Sequence, residues 1–150
     1  MKRKISYLLV ITLLIFLLPI HTYAVANEIL VIQFEDGSYM TDMLCIQEGR
    51  ASGTKTGTRT RSYYASDNTL LWQVVLTGKF SYTGTSSSCT SSSVNTNIYS
   101  SDWYTVSKSA SKSGNTASAN AVIGEKLLGV TVDKVNVSLT LSCDANGNLS

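Results

Sequence analysis

The stretch TLLWQVVLTGKFSYT, which runs from Thr69 to Thr83, decides the fold. Six large apolar residues in it fall on even-numbered positions: Leu70, Trp72, Val74, Leu76, Phe80 and Tyr82. The odd-numbered positions are mainly polar. A period of two is typical of a β-strand with one buried face. We therefore predict a long half-buried strand here, in which Gly78 marks a bend or a bulge.

A second clear alternation runs from Val135 to Cys143, where Val, Leu and Cys alternate with Asn, Ser and Thr. Val130 and Val132, just upstream, have the opposite parity. The pattern therefore slips at Asp133-Lys134, which predicts a bulge or a turn at that point.

The rest of the chain supplies weaker strand candidates between turn signals. They are residues 29–34, 39–46, 55–65, 94–99, 103–108 and 115–122. The serine runs 86–88 and 91–93, on either side of Cys89, are typical of loops. About seven strands predict an all-β fold, an antiparallel β-sandwich of Ig-like or similar Greek-key type, with a small barrel as the alternative. We expect the sandwich domain at 55–150, after an N-terminal hairpin or extended segment and a linker at 27–54. Gly49 to Gly57 is the linker candidate.

The N-terminus is typical of a helical signal peptide. Three cations, Lys2, Arg3 and Lys4, precede an apolar run from Ile5 to Ile20, and small residues follow. Cleavage after Ala26 is preferred to cleavage after Ala24. The alternative is an uncleaved anchor, but a membrane span needs about 20 apolar residues. We therefore predict a leader at 1–26 and a secreted mature chain with no membrane partner.

Composition excludes several classes of function. The chain has 12 Lys and Arg against 10 Asp and Glu, and three of those cations belong to the leader. A mature charge of −1 gives no basic surface for nucleic acid. The only histidine, His21, also lies in the leader, so the mature chain lacks His-based catalysis and His-based zinc sites. We predict no enzyme, no metal and no cofactor.

Three cysteines in a secreted chain leave one unpaired, and the pairings 45–89, 45–143 and 89–143 all remain open. We favour a disulfide between Cys89 and Cys143. Cys143 ends the inward face of one strong strand, and Cys89 follows the other strong strand after a short loop.

Four stretches carry a family resemblance: FEDGSY (34–39), TRSYYASDNTLLWQVVLTGKFSYTG (60–84), SKSASKSGNTA (107–117) and LSCDANGNLS (141–150). Together they resemble an uncharacterised family of small secreted all-β proteins of Gram-positive bacteria. The resemblance implies a short extracellular domain with cysteines near the positions of Cys89 and Cys143. Cys45 lies outside the family pattern, and the resemblance implies no activity.

Candidate binding residues are aromatic. Trp103 and Tyr104 are adjacent, so they point to opposite faces of a strand, and one of them must face away from the core. They are our candidates for ligand-facing aromatics, with a glycan or a cell-wall polymer as partner, although aromatic residues more often fill a core. The cationic segment from Arg50 to Arg61 is better explained as a solvated edge strand than as a contact for anionic wall polymer.

The carboxylates fall mostly at predicted turns, where turn chemistry explains them; they are Asp67, Asp102, Glu125, Asp133 and Asp144. We expect a non-catalytic binding or structural module. The alternative is a bacteriocin-like protein that acts on neighbouring cells.

Overall fold

The structure is a computed structural model that describes residues 23–24, 29–48 and 53–150. Its strands are β1 (Tyr23–Ala24), β2 (Ile29–Gln33), β3 (Tyr39–Glu48), β4 (Thr54–Tyr64), β5 (Leu70–Tyr82), β6 (Ser87–Ile98), β7 (Trp103–Ser113), β8 (Thr116–Leu127) and β9 (Val130–Ser142). Within these ranges no helix is long and apolar enough to cross a membrane. The apolar run of the predicted leader and its cleavage position Ala26 lie outside the described residues.

The strands form two antiparallel sheets that pack face to face, which confirms the predicted all-β sandwich. The first sheet has the order β3-β4-β5-β6, and both β1 and β2 pair with the free edge of β3. The second sheet has the order β7-β8-β9. The predicted Greek-key connection is wrong. From β2 to β6 in the first sheet and from β7 to β9 in the second, each strand pairs with the next strand in sequence, so both sheets are meanders.

The period-two pattern places the core between the sheets as predicted. On β5 the even-numbered Trp72, Val74 and Leu76 are fully buried. From the second sheet, small residues on β8 and larger ones on β9 pack against them. Those residues are Ala117, Ala119, Ala121, Ile123, Val137, Leu139 and Leu141.

Both predicted irregularities occur close to the expected positions. The pairing of β5 with β6 shifts between Lys79 and Phe80, next to Gly78. In the second sheet Thr131 pairs with Lys126 and Asp133 with Glu125, which leaves Val132 unpaired. That bulge explains the change of parity between Val132 and Val135.

The predicted linker and the predicted basic edge strand are wrong in the part that the structure describes. Thr54 to Gly57 belong to β4, and β4 is an interior strand because β3 pairs with it from Lys55 to Tyr64 and β5 pairs with its other edge. The guanidinium groups of Arg59 and Arg61 lie 3.2 and 2.9 Å from a carboxylate oxygen of Asp42 on β3. They are therefore engaged within the sandwich. Residues 49–52 of the predicted linker lie outside the described residues.

The turns lie at the two ends of the sandwich, which we call the cleft end and the cysteine end. The cleft end carries the turns at 34–38, 65–69, 99–102 and 128–129. The cysteine end carries the turns at 83–86 and 114–115 and the C-terminal residues 143–150. Cys89 and Cys143 lie at the second end, where their N–H groups donate to the carbonyls of Gly114 and Asn115 at 2.8 and 3.1 Å.

Candidate functional site

A cleft of about 560 Å³ opens between the two sheets at the cleft end. The β2–β3 turn and the inner faces of β3 and β4 form one wall, and the ends of β7, β8 and β9 form the other. The lining residues are Phe34, Asp36, Ser38, Met40, Tyr63, Trp103, Glu125, Asp133, Lys134, Val135 and Asn136. Its volume falls in the range of small-molecule sites.

Aromatic rings form the floor of the cleft. The ring of Tyr63 lies 5.9 Å from Phe34 in an edge-on contact, 5.3 Å from Trp72 in a stacked contact and 5.4 Å from Trp103. Trp72 is fully buried beneath them, whereas Phe34 keeps 37% of its surface exposed at the rim. The rings support one another at distances typical of favourable aromatic pairs, so the floor is rigid.

Hydrogen bonds order the polar rim on the first wall. The carboxylate of Asp36 accepts from the N–H of Ser38 at 2.9 Å and from its hydroxyl at 2.6 Å. The hydroxyl of Tyr63 donates to the Ser38 oxygen at 3.0 Å. The Ser38 side-chain bond, followed by the bond from its backbone, holds the pKa of Asp36 below the ordinary value of 3.8. Asp36 therefore presents a negative charge at neutral pH.

The second wall is also acidic. Glu125 on β8 pairs directly with Asp133 on β9, and both line the cleft. Lys134 is the cation among the lining residues, against the three carboxylates of Asp36, Glu125 and Asp133. Facing like charges repel each other unless a ligand or a counter-ion lies between them. The described residues contain no group of three His, Cys, Asp or Glu side chains arranged to hold a metal ion.

The two aromatic candidates from the sequence take different positions. Trp103 points inward, is 8% exposed and contributes the inner edge of the cleft. Tyr104 lies on the outer face of the second sheet, where its ring lies beneath the Lys126 ammonium at 4.4 Å and over Gly124. As the adjacency required, the two rings face opposite ways, so they do not form one patch.

The three cysteines are thiols in the structure. Cys89 and Cys143 are buried in the same core cluster. Burial is the main cause that raises the pKa of both thiols. For Cys143 the charge of Asp144 adds to the increase in pKa, Lys55 opposes it, and a smaller increase comes from Cys89. Cys45 lies apart from them, half-buried on β3 opposite Thr58.

Sequence reasoning missed the cleft itself, and with it Phe34, Asp36 and Ser38. The only available signal was an aromatic residue directly before an Asp-Gly turn, FEDGS at 34–38. Such a pair marks a hairpin, but it does not indicate which part of the second sheet will face it.

Comparisons with family models, with curated proteins and with solved structures gave no match. The resemblance to a family of secreted Gram-positive proteins therefore stays a prediction.

Proposed function

We propose that this chain is a secreted, non-catalytic binding module that takes an uncharged glycan in the cleft between its sheets. The observation that supports this most directly is the lining of the cleft, an aromatic floor beneath a rim of hydrogen-bonding side chains. The apolar face of a sugar ring stacks on aromatic side chains, while its hydroxyls donate to carboxylates and amides.

The charge of the cleft favours an uncharged polymer over an anionic one. Three carboxylates against one lysine repel phosphate, so nucleic acid and phosphate-rich wall polymers are poor ligands. The same carboxylates are strong acceptors for sugar hydroxyls. The sequence predicts a cell-wall polymer or a glycan as partner. Of these, the charge of the cleft lining favours uncharged glycans.

The arrangement of the acidic side chains is the reason to propose binding without hydrolysis. A glycosidase uses two carboxyl groups that flank the bond to be cleaved. Glu125 and Asp133 project from neighbouring strands of one wall. Asp36 lies on the other wall, but hydrogen bonds from Ser38 lower its pKa, whereas the general acid of a glycosidase needs a raised pKa. Glu125 and Asp133 can both contact one side of a bound sugar, which suits recognition.

A pull-down on insoluble glycans tests this proposal. The chain is incubated with the uncharged polymers cellulose, chitin and β-1,3-glucan, and the retained fraction is measured. We expect retention on at least one of them. Phe34→Ala should weaken it about 3- to 10-fold, the value of one aromatic stacking contact.

Tyr99→Ala is the matched control, because Tyr99 is an exposed aromatic residue of the same end that does not line the cleft. It should bind as the wild type does. Retention on none of the three polymers, or equal losses in the two variants, would contradict the proposal.

We also propose that Cys89 and Cys143 form a disulfide once the chain reaches an oxidising medium. Their burial at one end of the core and their shared contact with the turn at 114–115 support this pairing. Two thiols would give up two protons and two electrons to molecular oxygen or to a small-molecule disulfide. Closing the loop from 89 to 143 would stabilise the fold by about 4 kcal/mol in the chain-entropy model.

Peptide mapping without reductant tests the pairing. We expect a peptide in which Cys89 is joined to Cys143, and we expect Cys45 to react with a thiol reagent. Cys45→Ser is the control variant and should keep the bond. A bond from Cys45 to either of the other cysteines would refute the assignment.

A further inference from the structure

The hairpin that joins β8 to β9 ends in an exposed apolar tip. Leu127, Leu128, Val130 and Val132 keep 64%, 96%, 66% and 54% of their surface exposed. The tip projects beyond the pair Glu125–Asp133, past the last residues that line the cleft. Four neighbouring apolar side chains at a protruding apex form an interaction surface rather than scattered exposure.

One of these residues has a strained backbone conformation that exposes its side chain at the tip. Leu127 pairs with Val130, so Leu128 and Gly129 form a two-residue loop, and their φ angles are +50° and +82°. Positive φ at both positions is the pattern of a type I′ turn, which favours Asn, Asp or Gly at the first position. A leucine in this conformation is costly, and such strain is found where function needs it.

Hydrogen bonds fix the base of the tip. The bulge at Val132 alters the pairing near Lys126, and the N–H of Lys126 donates to the carbonyl of Asp102 in the β6–β7 loop at 2.7 Å. The hydroxyls of Tyr104 and Thr131 are hydrogen-bonded across the outer face of the same hairpin. The apolar tip is therefore held on a rigid support.

We propose that this tip inserts into the interfacial layer of a lipid bilayer. Pairing of Leu127 with Val130 satisfies backbone groups of the hairpin internally, as an apolar medium requires. Along the hairpin, Lys126 is the charged residue nearest the apex, and its ammonium, which lies over the ring of Tyr104 at 4.4 Å, can meet a lipid phosphate from there. Glu125 and Asp133 lie farther from the apex, on the cleft face, and Lys134 follows them. The contact departs from the expectation of no membrane partner, and it is independent of glycan binding in the cleft.

Leu128→Asn separates insertion from folding, because Asn suits the turn better than Leu. The probe is vesicles of phosphatidylcholine and phosphatidylglycerol in equal parts, co-sedimented with the chain in the form that the producing cell releases. We expect the wild type to partition into the vesicles. The variant should partition at least about tenfold less, because it loses the free energy of burying one leucine side chain. Its melting temperature should stay the same or rise.

Val106→Asn is the matched control, since Val106 is an exposed apolar residue of the same sheet away from the tip. It should partition as the wild type does, and Phe34→Ala should as well. The proposal is overturned if the wild type does not partition, if Leu128→Asn partitions equally, or if the tip instead drives self-association in sedimentation velocity. Glycan retention by Leu128→Asn should be unchanged, which keeps the two proposals distinguishable.

Discussion

Two glycines form a notch in the inner face of the first sheet. Gly57 and Gly78 pair directly across β4 and β5. A Cβ on Gly78 would lie 2.7 Å from the ring of Phe80, and one on Gly57 would lie 2.6 Å from a methyl group of Leu149. The absence of side chains at these two positions lets an aromatic ring and the C-terminal tail pack directly on the sheet.

We expect Gly78→Ala to destabilise the fold by about 1–3 kcal/mol, because the new methyl group overpacks a closed core. Urea unfolding measures the change in the free energy of unfolding. Thr77→Ala is the control, as it alters the neighbouring outward-facing residue and should change stability much less. Equal stability of the two variants would contradict this account of the notch.

A carboxylate at the cysteine end holds the C-terminal tail in place. Asp144 accepts hydrogen bonds from the N–H groups of Asn146 and Asn148 at 2.8 Å and from the side-chain amide of Asn148 at 2.7 Å. The Asn148 side-chain bond is the main cause that lowers the pKa of Asp144 below its ordinary value of 3.8. The tail then turns back, so that Ser142 and Ser150 exchange backbone hydrogen bonds.

Asp144 therefore makes stability depend on pH in the acid range. A carboxyl whose pKa is lower in the folded state stabilises that state above the unfolded value of about 3.8, and the contribution is lost as pH falls through the folded value. We expect the difference in urea midpoint between wild type and Asp144→Asn to be largest above pH 4 and to vanish at lower pH. A difference that did not change with pH would show that the charge plays no part.

At the scale of elements, the alternation of apolar and polar residues predicts single strands, and it identified β5 and β9. The second half of β6 lies in the strand predicted at 94–99, but its first half was not predicted, because the serine runs at 86–88 and 91–93 are typical of loops. Backbone pairing with β5 makes it a strand, and an edge position tolerates hydroxyl side chains on both faces. β4 was predicted as a polar edge strand, yet it lies inside the sheet because β3 pairs with it, and Asp42 on β3 forms ion pairs with both of its inward-facing arginines.

At the scale of the whole molecule, the two ends of the sandwich differ in what they can do. The cysteine end is closed by two buried thiols, a paired tail and the turns around them. The cleft end carries the aromatic floor, the acidic rim and the apolar hairpin tip. The predicted Trp103 contributes to the cleft, but its partners Phe34 and Asp36 come from the other sheet. Only the packing of the two sheets brings them together, which no local pattern encodes.

The central claim is that an uncharged glycan binds in this cleft, and the two tryptophans offer the most direct test. Each gives one indole N–H signal in a nitrogen–proton NMR spectrum, and Trp103 borders the cleft whereas Trp72 is buried beneath it. Soluble oligosaccharides from cellulose, chitin and β-1,3-glucan are added in turn. We predict that at least one moves the Trp103 indole signal and the Phe34 amide while the amides of Gly84 and Gly114 stay in place. No shift with any of them, or shifts confined to the cysteine end, would contradict the claim.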